Sequence, residues 1–189
     1  VRGLHLAQAG VLPGEDLTSA SLFDLGLITY QVDAERLRHP LCFYIPKSES
    51  AEEALWWAEV FHALECAKRW PNGSIKCMAL VESHPLAYRM EEFLFHLRDH
   101  ILGLNLGRWD YMASLIHFTL ADPAWVLPDR NTIPHDVPFF QRLRHLLEHR
   151  GIGAKAVAAP DQTFAGVPDR VARALEGFMP AWLKPDHAV

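Results

Sequence analysis

The sequence is poor in cysteine, in positive charge and in long apolar runs, and each shortage removes a class of function. The three cysteines, Cys42, Cys66 and Cys77, are odd in number and share no CxxC spacing. They predict reduced core thiols in a cytoplasmic protein, not a disulfide frame or a zinc cage. A net charge of -5 offers no basic face to nucleic acid. No apolar run can cross a bilayer and no charged-then-apolar leader opens the chain, so no membrane role is expected. GxGxxG and Walker A patterns are missing too, which argues against a nucleotide-binding sheet. The histidines are scattered. His96 and His100, spaced i, i+4, find no third ligand and read as helix-surface residues.

What is present describes a globular α/β chain. Half of the 189 residues are hydrophobic and 22% are charged, enough for one domain with a substantial core. Residues 1–6 read as a strand entered partway, without an initiator Met, which points to sequence upstream. Residues 21–30 predict a short helix, and 42–45 a β-prone run closed by Pro46. Ser50-Ala51-Glu52-Glu53 is a capping box. It opens a helix with Ala54, Trp57, Ala58, Phe61 and Leu64 on one face, broken at Pro71-Asn72-Gly73. Residues 75–81 are apolar on both alternations, as a parallel strand covered by helices requires.

Met90, Phe93, Leu94, Leu97 and Ile101 predict an amphipathic helix stopped by Gly103, followed by a strand over 104–110. A helix over 111–120 comes next, then a short strand and turn over 126–130. Another helix starts at Pro138, with Phe139, Phe140, Leu143, Leu146 and Leu147 inward. A small-residue strand at 154–159 and a last helix from Pro168 complete the pattern. Residues 1–180 then form one barrel-like region and 181–189 a loose tail.

Alternating strands and helices mean a parallel sheet. Five or six strand-helix units are short of a closed eight-fold barrel, which takes about 250 residues. The fold expected is α/β of the (β/α)₈ TIM-barrel type, incomplete. Two of its strands lead to acids, Glu82 and Asp110, and ligands of such sheets bind at the strands' C-terminal ends. Oxygen-ligating cations and small oxyanions both use such places. The residues alone leave a blander alternative open, in which Asp110 is a helix cap and Glu82 a surface acid. His84 and His135 flank the same loops and are solvent-facing by default.

Several segments carry a resemblance. They are Arg2-Gly3-Leu4-His5-Leu6, Ser21-Leu22-Phe23-Asp24-Leu25-Gly26-Leu27 and Phe43-Tyr44-Ile45-Pro46-Lys47-Ser48-Glu49-Ser50. More specific are Arg98-Asp99-His100 running on to Gly103-Leu104-Asn105-Leu106-Gly107-Arg108-Trp109-Asp110-Tyr111, and Val126-Leu127-Pro128-Asp129-Arg130. Through these the chain resembles malate synthase of the shorter, A-type class, from its first residues to about Ala159. The resemblance implies condensation of acetyl-CoA with glyoxylate to malate and CoA in the glyoxylate cycle, in a (β/α)₈ barrel.

It implies Glu82 and Asp110 as ligands of Mg²⁺, and backbone N–H groups of Gly107, Arg108, Trp109 and Asp110 around the glyoxylate carboxylate. The side chains of Arg108 and Trp109 are then structural. Arg2 is the candidate for the catalytic arginine at the oxyanion, or else the neighbour of one lying before Val1. The family's general base, an aspartate of a helical C-terminal domain, would lie beyond Val189. Residues 154–162 follow the family's glycine-rich strand only loosely. Two alternatives remain: a Mg²⁺-dependent carbon–carbon lyase acting on a CoA thioester, and a shortened non-catalytic relative. In the latter, uncovered strand edges would favour a homo-oligomer.

Overall fold

The computed structural model describes residues 1–134, 136–138 and 140–147. The strand at 154–159, the helix from Pro168, the 180/181 boundary, His135 and Phe139 lie outside the described residues.

Three parallel strands form the centre. They are β3 (Leu41–Ile45), β4 (Ile75–Val81) and β5 (Ile101–Leu106), in the order β3-β4-β5. The expected apolar character of β4 is explained by its place between two neighbours. Ile75, Cys77, Ala79 and Val81 are fully buried on one alternation, and Met78 is buried on the other. A short antiparallel pair, β1 (Ala7–Gln8) with β2 (Thr18–Ser19), leads into α1 (Ala20–Gln31). The crossovers between the parallel strands are α2 (Ala51–Lys68) and α3 (Met90–His96), which pack on each other. After β5 comes α4 (Arg108–Thr119).

Local chemistry accounts for these boundaries. Ser50 caps α2 by accepting the N–H of Glu53 at 3.4 Å. The return bond of the expected box shifts by one residue, since the Glu53 carboxylate takes the N–H of Glu49 at 2.9 Å. Helix α2 ends at Arg69, whose left-handed φ of 57° closes the last turn. Its Ala54, Trp57 and Phe61 are buried in the core, with Phe61 stacked on Phe43 of β3 at 6.5 Å between ring centres. Burial of each such large side chain contributes about 1.5–3 kcal/mol. Ala58 and Leu64 of the expected face are only partly buried.

Other expectations are corrected. Residues 1–6 form a turn closed by the Leu6 N–H on the Gly3 carbonyl, not a strand. The helix predicted to reach Ile101 stops at His96, and Ile101 opens β5. Ile101 satisfies the helical spacing. However, Leu102, Leu104 and Leu106 also alternate inward, and pairing with β4 wins. Gly103 is therefore a strand residue opposite Met78, not a helix stop. Residues 126–130 hold no strand and lie between 3₁₀ turns at Pro123–Trp125 and Arg130–Thr132. Asp129 accepts the N–H of Asn131 at 2.8 Å, and Arg130 lies over the Trp109 ring. His100 is 3% exposed, not a surface residue. Of the cysteines only Cys77 is a core thiol, while Cys42 and Cys66 are exposed. The helix predicted from Pro138 is present at 138 and 140–147, with Phe140, Leu143 and Leu147 inward.

Candidate functional site

Glu82 is the first residue past β4, and Asp110 lies in the first turn of α4. The early start of β5 moves Asp110 from the strand end predicted for it onto the helix. Gly107 links the two elements. Its N–H donates to the Val81 carbonyl at 3.0 Å, extending the β4–β5 ladder by one rung. With φ at -84°, Gly107 is not conformationally special. Space is what requires glycine there, since a Cβ would stand 2.5 Å from Cβ and Oε2 of Glu82.

The Glu82 and Asp110 carboxyls line the same cleft and are near enough to influence each other. Glu82 is 4% exposed, whereas the Asp110 side chain is half exposed. Burial holds Glu82 above the ordinary carboxylate range, against the pull of the Lys47 N–H and ammonium, and the neighbouring Asp110 pushes the same way as burial.

Lys47 joins the pair from the C-terminal end of β3. Its N–H donates to Glu82 Oε1 at 2.7 Å, and its Nζ lies 2.5 Å from Asp110 Oδ1. The residue adopts a left-handed φ of 60°, a conformation that costs a side-chain-bearing residue about 1–2 kcal/mol. Such strain persists where surroundings over-determine it, and functional sites are common hosts. Next along the chain, the Ser83 hydroxyl donates to the Ser48 carbonyl at 2.6 Å, with both residues buried, locking the loop after β4 onto the loop after β3. The His84 N–H donates to Ser114 Oγ at 2.9 Å, and His84 Nδ1 meets the Tyr111 hydroxyl at 3.2 Å. His84 is thus bound to α4 and half-buried rather than solvent-facing.

These groups open onto a cleft of about 450 Å³, lined by Lys47, Glu82, Asp110, Glu49 and Glu53, with Phe118 on its apolar side. The residue ahead of α4 is Gly107, which supplies no side-chain cap to the first-turn N–H groups of Arg108, Trp109 and Asp110. The positive end of the helix favours negative charge at this point. The Gly107 N–H is already engaged by Val81.

The Arg108 guanidinium stacks on the Trp109 ring at 4.0 Å and donates to the Ile133 carbonyl at 3.4 Å, so this side chain packs rather than reaching into the cleft. Arg2 is not brought together with the carboxylates. Its Nε and Nη2 donate to the two oxygens of Asp24 at 3.0 and 2.8 Å, pinning the N-terminal segment to α1.

Sequence reasoning missed Lys47 as a site residue. It stands in the quoted segment after Tyr44-Ile45-Pro46, and its place at a third strand end was the available signal. Among the described residues no three His, Cys, Asp or Glu side chains converge as a metal cage. No helix of the described residues is long and apolar enough to cross a membrane.

Parallel strands joined by helices, with carboxylates gathered at their C-terminal ends, define a segment of an α/β barrel, not closed among the described residues. Residues 1–166 match the family described as the malate synthase TIM barrel domain. The chain belongs to the malate synthase family. It is 43% identical over 150 residues to malate synthase A of Escherichia coli, covering 78% of this chain and 28% of that protein. It is 38% identical to a malate synthase of Myxococcus xanthus, covering 77% of this chain and 27% of the relative. For a malate synthase of Streptomyces clavuligerus the identity is 37%, over 96% of this chain and 37% of the relative. The chain thus spans only 27–37% of the length of these relatives.

Proposed function

We propose that this chain carries the metal- and glyoxylate-binding part of a malate synthase, which condenses acetyl-CoA with glyoxylate to give malate and CoA. The observation that supports this most is the convergence of Glu82 and Asp110 at one cleft, with the Lys47 ammonium as their counter-charge. A Mg²⁺ ion fits that donor set. Both ligands offer hard oxygens, and Mg²⁺ is usually held by one or two carboxylates with water and substrate oxygens completing its shell. A cation already satisfies part of the negative charge there, in the form of the lysine. When bound, Mg²⁺ supplies Lewis-acid polarisation of the aldehyde of glyoxylate.

The chain's own residues do the remaining work. The Lys47 N–H orients Glu82, and Gly107 lets the two carboxylates approach. The N–H groups at the start of α4 receive the glyoxylate carboxylate, as anions are received at helix N-termini. Arg2 must leave Asp24 before it can serve a developing oxyanion. We assign abstraction of the acetyl methyl proton to no described residue. The three free thiols support a cytoplasmic setting. The Candida tropicalis relative is named glyoxysomal, so cell fractionation separates the two locations.

The test is release of CoA from acetyl-CoA, glyoxylate and Mg²⁺ by the protein that contains this chain. Asp110→Asn and Glu82→Gln are each expected to lower turnover by about 100-fold or more. Full activity in either variant overturns the assignment of that residue. Cleavage of a malyl-CoA-type thioester without condensation would identify a lyase instead. A second reading, a binding or assembly role without turnover, is favoured by the outer strands β3 and β5, each paired on one side only among the described residues.

A further inference from the structure

The carboxylate pair already holds a cation, and that cation is a side chain. The Lys47 ammonium contacts Asp110 while the same residue's backbone N–H contacts Glu82, so one residue touches both proposed ligands. Its backbone is held in the left-handed region, and only Arg69 shares this among the described non-glycine residues. The side chain is free to move by comparison. It is 38% exposed, and Asp110 beside it is 52% exposed. Two further carboxylates, Glu49 and Glu53, line the same cleft.

We propose that Lys47 is a resident counter-ion that competes with the divalent cation for Asp110 and is displaced when the metal binds. This inference rests on the metal reading given above and adds a regulatory element to it. In the metal-free protein the ammonium offsets the repulsion between Glu82 and Asp110, keeping the site assembled. A divalent cation entering with the ammonium still in place leaves the cluster net positive. Moving the ammonium away leaves it neutral, which is the lower-energy arrangement at these separations. Glu49 and Glu53 are the carboxylates within the cleft that can receive the displaced head. The backbone bond from Lys47 to Glu82 is untouched by this movement, so one ligand stays oriented throughout. Metal affinity is thereby set below what the two carboxylates alone would give.

The test is Mn²⁺ binding, followed by electron paramagnetic resonance at fixed pH and ionic strength. It compares the protein that contains this chain with its Lys47→Met, Lys47→Gln, Glu82→Gln and Asp110→Asn variants. Both lysine variants are expected to bind Mn²⁺ on the order of tenfold more tightly. They are also expected to melt at a lower temperature in EDTA and to gain more on adding Mn²⁺. Equal or weaker binding in a lysine variant that retains the native far-UV spectrum overturns the inference but leaves the metal reading intact, provided Glu82→Gln and Asp110→Asn abolish binding. If Mn²⁺ binding is absent, or indifferent to Glu82 and Asp110, the metal reading falls and this inference with it. Lys47→Gln covers the case in which Lys47→Met does not fold.

Discussion

Glu65 and His100 meet 3.7 Å apart in the interior, 1% and 3% exposed, at the end of β4 opposite the carboxylate pair. Glu65 reaches from α2 and accepts the N–H groups of Ile75 at 2.8 Å and Gly73 at 3.1 Å. His100 Nδ1 lies 3.0 Å from the Ile75 carbonyl, and its ring packs on Phe61. One polar cluster therefore satisfies the backbone where β4 begins and ties α2 to the segment entering β5. With its start held this way, β4 delivers Glu82 to its place at the far end.

Glu65→Ala is expected to lower unfolding free energy by about 3 kcal/mol, because the N–H groups of Gly73 and Ile75 lose their buried acceptor and His100 its neighbour. Urea unfolding checks this. A loss under about 1 kcal/mol would show that water replaces the carboxylate, and the buried-anchor account would fail.

Gly107→Ala should damage the site while sparing the helix. Its backbone angles suit alanine, but the added methyl collides with Glu82. Mn²⁺ affinity is expected to fall by about tenfold or more, with helix content by circular dichroism unchanged. Unaltered affinity would mean that Glu82 does not need its present position.

Acid should weaken the fold through exposed pairs. The Arg89 guanidinium donates to both oxygens of Glu52, at 2.8 and 2.9 Å, and is the largest cause that lowers that carboxyl from 4.5 to about 2, with the Glu52 backbone N–H and Ser50 adding to it. The hydrogen bonds from Arg2 lower Asp24 as well. A carboxyl depressed in the folded state adds stability above its unfolded value and loses it as pH falls toward its folded value. Unfolding midpoints are therefore expected to drop between pH 4.5 and about 2. In Arg89→Met, the Glu52 carboxyl followed by NMR should titrate at higher pH than in the parent, with the Ser50 hydroxyl and the Glu52 backbone N–H still holding it below its ordinary value. Titration still near the low value would assign the shift to something other than Arg89.

The thiols should react in order of access. Cys66 is exposed and is expected to react first with Ellman's reagent. Cys42, whose thiol donates to the Pro40 carbonyl and is pushed up by burial, should follow more slowly. Cys77 is fully buried and its thiol is pushed far up, so it should react only on unfolding. Early labelling of Cys77 would contradict the packing of β4.

Much of the frame was legible because its signals are local. The apolar run at β4 and the serine cap of α2 depend on neighbours a few residues away. So do the breaks at Gly73 and Pro46. Glu82 and Asp110 could be singled out because they follow such runs and stand in family-like segments. His100 was misread for a physical reason. Helical and extended spacings overlap between Leu97 and Leu104, and nothing local tells where a helix yields to a strand that a neighbour will pair. Val126-Leu127 looked β-prone but found no partner strand among the described residues.

By itself the sequence determined the alternation of strands and helices, pointed to the family and placed Glu82 past a buried strand, whereas Asp110, expected at a strand end, stands in the first turn of a helix. The alternation follows from periodicity, capping and residue type, which act within a turn or two of the chain, while the family was legible only through the resemblance of whole segments. Only the tertiary structure decided that Lys47 belongs to the site, that Gly107 is needed for space, and that Arg2 is held by Asp24. Each depends on contacts between residues far apart in sequence, 35 positions for Lys47 and Glu82 and 22 for Arg2 and Asp24. Contacts at such separations are set by how the strands register and how closely the helices dock, and no local pattern encodes them.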